Sequence, residues 1–225
     1  MGEKNVVNIH KVLALSDDID YKEGKEAYSN YNKLLRRVSE FYKVGFTPTV
    51  AAFASLSPSN DYMGTLRSVV TLIQAVKKNI PIDKISTSTY RHCLVRAYEY
   101  FTGQKDFLLE TEGLKIKNFY CNILHPEDKQ YITIDGHAHS IWLGKHMTMK
   151  EALFSRSKYF IIAEDYKKAA KQVGLLPNQV QAITWFTWKR INLIRYDSQV
   201  SIFNEGCDYW GLDLDPKDII PFKQI

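Results

Sequence analysis

Apolar side chains recur every three or four residues through most of this sequence, and that period commits the chain to helices. Between residues 21 and 42, Tyr28, Tyr31, Leu34, Leu35, Val38 and Phe41 fall on one face of a helix, because about 3.6 residues make one turn. Leu66, Val69, Val70, Ile73 and Val76 predict another, closed by Lys77 and Lys78, whose cations suit the negative end of the helix dipole. The same period predicts helices over 49–56, 88–101, 116–124, 136–143, 156–173 and 177–194. Thr47 and Pro48 read as a cap and a first-turn proline, Gly174 as a C-cap, and Pro177 as the opening residue of the last helix. Strand signal is confined to Val6–Leu15 and Gln130–Ile134, where extended chain would serve equally well. The expected fold class is all-α. The segment 201–225, with Gly206, Gly211, Pro216 and Pro221, reads as an irregular tail packed across the surface.

Composition narrows the class without choosing a function. A hydrophobic content of 45% with 24% charged residues is that of an ordinary globular protein and excludes a largely disordered one. The length of 225 residues suffices for one domain or two modest lobes. A net charge of +5 permits contact with a polyanion but does not demand it. Cys93, Cys121 and Cys207 are isolated and odd in number, so neither a disulfide framework nor a cysteine-rich metal centre is expected. No run approaches the roughly 18 apolar residues of a membrane span, and Glu3, Lys4 and Asn5 do not open a signal peptide. A cytoplasmic protein without membrane contact is the expectation.

Two short segments carry the chemistry. Gly113-Leu114-Lys115-Ile116-Lys117 reads as a turn into a helix, whose first amides lack partners and lie at the positive end of the dipole, an arrangement that binds phosphate. Eighteen residues after Lys117, Asp135 reads as the N-cap of the next helix, ahead of Gly136 and His137. A lysine amine is a nucleophile and a carboxylate stabilises a developing cation, so the pair is suited to attack on a sugar carbon. Taken singly, the first segment is better explained as a helix-helix turn with two solvated lysines, and the second as a cap with no chemistry.

Together they resemble the helix-hairpin-helix DNA glycosylases, a superfamily that includes endonuclease III. The family's hairpin has the pattern L-P-G-x-G-x-K, and Thr111-Glu112-Gly113-Leu114-Lys115-Ile116-Lys117 matches it at Gly113 and Lys117. Ile134-Asp135-Gly136-His137 is similar to the family's aspartate segment, with His125 and Pro126 in the intervening loop. Ala54-Ser55-Leu56-Ser57-Pro58-Ser59-Asn60 is similar to a segment that fills the gap left by a flipped base. The hairpin's proline is replaced by Glu112 and its second glycine by Lys115, and the four-cysteine iron-sulfur motif is absent, which implies a cluster-free branch.

The resemblance, covering about Phe46 to Ile194, implies two helical lobes, 46–134 and 1–45 with 135–225, with a DNA-binding cleft between them. It implies removal of a damaged or modified base from double-stranded DNA by a monomer needing no cofactor. Lys117 would attack C1′ and form a Schiff base that undergoes β-elimination, and Asp135 would stabilise the oxocarbenium-like transition state. Gly113, Lys115, Ser59 and Asn60 are the expected DNA contacts, and His137, Gln181 and Trp185 the expected base pocket. Val180, Ile183, Phe186, Ile191 and Ile194 already form a buried stripe on the last helix, so Gln181 and Trp185 also fit as packing residues. Asp135, His137 and His139 would share a face only on a strand, so no metal site is expected on a helix. A DNA-binding protein without excision, and a helical interaction factor using its aromatic tail, are the rival readings.

Overall fold

The computed structural model describes residues 2–111, 113–148 and 150–192. Among these there are ten α-helices and no strand: α1 (Gly2–Leu13), α2 (Asp18–Tyr42), α3 (Phe46–Leu56), α4 (Tyr62–Lys77), α5 (Arg91–Phe101), α6 (Phe107–Glu110), α7 (Leu114–Leu124), α8 (Gly136–Leu143), α9 (Arg156–Val173) and α10 (Pro177–Ile191). The all-α class therefore holds. No helix among the described residues is long and apolar enough to cross a membrane.

The described chain divides into two compact units, residues 2–29 with 113–192 and residues 30–111. These breaks fall at 29/30 and 111/112, whereas the sequence placed lobe boundaries at 45/46 and 134/135. Lys117 and Asp135, assigned by the sequence to different lobes, share one unit.

The first unit is built on α1, the start of α2 and α7 to α10. Its core gathers Val6, Ile9 and Val12 of α1 with Ile141 and Trp142 of α8, Ile162 and Tyr166 of α9, and Val180 and Trp188 of α10. The β character expected over Val6–Leu15 is overturned here. Val6, Ile9 and Val12 are spaced three apart, which on a helix forms one stripe, and burying that stripe outweighs the weak strand preference of valine and isoleucine. Residues 131–135 join no ladder among the described residues. The Tyr159 hydroxyl serves their backbone instead, donating to the Ile132 carbonyl at 2.7 Å and accepting from the Ile134 amide at 3.1 Å. Helix α2 meets α10 through Gly24, where the backbone of Ile183 lies too close for any side chain. Nearby the Tyr28 hydroxyl donates to Gln181 Oε1 at 2.8 Å.

The second unit is organised around α3, buried along Thr49–Leu56. Ala51, Ala52, Ala54 and Ser55 let α4 and α5 approach it closely, and Phe53 packs against Tyr31 and Tyr62 at centroid distances of 5.7 and 6.1 Å. The expected cap at Thr47 is corrected: Gly45 is the N-cap, Pro48 is the third helical residue, and Thr49 Oγ1 donates back to the Gly45 carbonyl at 2.8 Å. Helix α5 starts at Arg91 rather than 88, because Ser88 is drawn into bonds with Asn60 and Ser68. The expectations for 193–225, including Ile194, the irregular tail and Cys207, lie outside the described residues.

Candidate functional site

Asp135 is placed by its helix. It caps α8 in extended conformation, and its Oδ1 accepts from the Ala138 amide at 2.8 Å. Its Oδ2 accepts from Trp185 Nε1 of α10 at 3.1 Å. Both oxygens therefore have a neutral N–H donor, and the carboxylate is aligned with the positive end of α8. The Tyr159 bonds to residues 132 and 134 fix the approach to Asp135, and burial pushes the Tyr159 phenol up, so it stays a protonated donor.

Trp185 is the hub around which the other groups meet. The His137 ring stands edge-on to it at 6.1 Å and 78°, and Lys189 Nζ lies 4.1 Å from its centroid, one turn further along α10. Burial pushes the half-buried His137 imidazole below its ordinary range; Asp135 opposes that shift, and Lys189, Lys115 and His146 reinforce it. Lys115 from α7, Lys189 from α10 and His146 from the segment after α8 thus direct positive charge at one imidazole. The His146 ring also stacks on Trp188 at 6.4 Å and 15°.

The two lysines of α7 leave it on different sides, since residues two apart on a helix diverge by about 200°. Lys115 is exposed and acts on His137. Lys117 is half-exposed and sits one turn before the buried thiol of Cys121, which burial pushes up while Lys117 and the Tyr131 hydroxyl hold it down. Gly113 is the N-cap of α7 with φ −71°, and no side chain caps the helix there. A Cβ on Gly113 would meet nothing nearer than Ile116 Cγ1 at 3.9 Å, so the chain itself does not require glycine. The preceding α6 is a single turn of four residues capped by Asp106.

The remaining expected residues are not gathered at Asp135. Gln181 is buried, and its Oε1 is held by Tyr28, so reading a base would require that bond to break. His139 is buried against Trp142 and Phe154, with Nδ1 on the Ala152 carbonyl at 3.1 Å and Nε2 unpartnered, and burial keeps it neutral. No group of three or more His, Cys, Asp or Glu among the described residues is placed to hold a metal. Ser59 and Asn60 belong to the second unit. Ser59 is exposed at the tip of its turn with φ +54°, and Asn60 Oδ1 accepts from Ser88 Oγ at 3.1 Å.

Sequence reasoning missed the bond from Trp185 to Asp135 and the contribution of His146. The spacing of Trp185 and Lys189 along one face of α10 was a usable signal, whereas nothing around His146 in the sequence marks it out.

These features define an all-helical protein whose first unit holds a capped carboxylate beside an indole and a ring of basic groups. Residues 2–192 match DUF7178, a family of unknown function, and the chain belongs to that family. No curated protein matches the chain, and no solved structure does so.

Proposed function

We propose that this protein is a DNA glycosylase that removes a damaged or modified base from double-stranded DNA, with an associated β-elimination through Lys117. The observation that carries the reading is the Asp135 carboxylate, fixed at the start of α8 by the Ala138 amide and by the Trp185 indole. A carboxylate held in advance at a half-buried position stabilises positive charge developing on a sugar without reorganising during the reaction. That is what cleavage of an N-glycosidic bond demands, because the sugar becomes cationic as the base departs.

The surroundings of Asp135 favour a polyanionic substrate. Lys115 and Lys189 supply positive charge on that side of the unit, and the first amides of α7 are further donors for a phosphate. Trp185 offers an aromatic surface beside the carboxylate, suited to an extruded nucleotide. Once the base has left, the sugar opens to an aldehyde, on which Lys117 forms a Schiff base that eliminates the 3′ phosphate.

Borohydride trapping on a duplex with an abasic site tests the lysine step. Native protein should give a covalent adduct, Lys117→Gln should lose it, and Lys115→Gln should keep it. Absence of an adduct from native protein, or an undiminished one from Lys117→Gln, removes the lyase assignment.

A further inference from the structure

We infer that His137 is the base that accepts a proton from the water attacking C1′ of the sugar. This rests on the glycosylase reading and specifies how the base is released.

Both Asp135 oxygens accept hydrogen bonds, one from the Ala138 amide and one from Trp185 Nε1, so its role is to hold negative charge in place. A carboxylate is also a weaker base than a neutral imidazole, so the stronger proton acceptor comes from another side chain. His137 is two residues further on, half-buried, with its ring edge-on to the same Trp185. Its ring nitrogens make no hydrogen bond among the described residues. Carboxylate and imidazole thus share Trp185 as a common neighbour at the start of α8.

The charges facing His137 fit that role. Lys115 comes from α7, Lys189 from α10 and His146 from the segment after α8, while Asp135 lies on its own helix. Burial and the three basic groups favour the neutral ring, the form that accepts a proton, at neutral pH. Asp135 then stabilises the imidazolium that forms.

In the step itself the water oxygen bonds to C1′ and passes one proton to a ring nitrogen of His137. The C1′–N bond breaks, its electron pair leaves on the base nitrogen, and that nitrogen takes up the proton His137 releases. One water is consumed, and an abasic sugar and a free base are produced. Lys117 acts afterwards, on the aldehyde.

The test is single-turnover base release from a panel of duplexes, each carrying one modified base, between about pH 5 and 8, with native, His137→Gln and Lys117→Gln proteins. Native release should rise with pH along a limb below the ordinary histidine range, matching the His137 titration read by NMR on the native protein. His137→Gln should lose at least about 10²-fold and the limb, yet still form the borohydride adduct on abasic DNA, which reports a folded site. Lys117→Gln should lose the adduct. The proposal is overturned if His137→Gln releases base within about 3-fold of native with the limb intact. Release of no base by native protein instead overturns the glycosylase reading itself.

Discussion

Replacing Gly24 with alanine tests whether α2 and α10 pack as closely as the structure has them. A Cβ at this position would fall within 3.0 Å of the Ile183 Cα and N and 2.7 Å from its Cγ1. Ordinary contact starts at 3.4 Å, so even the side-chain contact demands a movement of 0.7 Å (3.4 less 2.7), and the backbone contacts demand more. Helix backbone cannot turn aside as a side chain can, so the two helices must separate. Overpacking of this kind costs about 1–3 kcal/mol. The movement also strains the 2.8 Å bond from Tyr28 to the buried Gln181, worth about 1 kcal/mol. Against these stands about 1 kcal/mol gained from the better helix propensity of alanine. The net expectation is a loss of about 1–3 kcal/mol, or roughly 2–12 °C in Tm for a chain of this size. Thermal melts by circular dichroism read it directly, with Gly113→Ala as control, since a Cβ there meets only Ile116 Cγ1 at 3.9 Å. A Gly24→Ala protein that melts at or above the native temperature refutes the close approach.

Two further outcomes follow from the first unit. The Glu23 carboxyl is pushed up to about 7 by burial and then by Asp20 and Asp17. The folded state therefore binds this proton more tightly than the unfolded chain does. Its stabilising contribution is full below about pH 4.5 and is lost as pH rises through about 7. Glu23→Gln should flatten that decline by about 1–2 kcal/mol in urea melts, after solvent screening at a partly exposed site, and an unchanged pH slope would contradict it. Trp185→Phe removes the indole donor to Asp135 Oδ2, so stability should fall by about 1 kcal/mol and the amides at the start of α8 should exchange faster. Unchanged exchange there would mean that this bond does not hold the helix start.

Punctuation in the sequence explains why so much of the fold was legible. Asp135 caps α8, Gly174 ends α9 in the left-handed region at φ +70°, and Pro177 opens α10, all where local chemistry put them. Helices α8 and α9 match the expected spans residue for residue because each has a polar cap and a left-handed glycine at its ends. Helix α1 was missed because the partners that bury Val6, Ile9 and Val12 lie on α8, α9 and α10, far along the chain. The same limit applies to the site. That Asp135 caps a helix is a local fact, whereas its bond to Trp185, fifty residues on, is decided only when α8 packs on α10. Lys115 and Lys117 are indistinguishable by composition and are separated by which side of α7 each occupies.

The central claim is that the Asp135 charge drives base release. Asparagine at this position still accepts from the Ala138 amide and keeps the cap, so Asp135→Asn removes the charge together with the Trp185 bond while α8 keeps its N-cap. The measurement is single-turnover base release from modified duplexes, with duplex affinity determined at the same salt. The account predicts release slowed by at least about 10²-fold with affinity held within about 2-fold. Equal release by Asp135→Asn and native protein would contradict it.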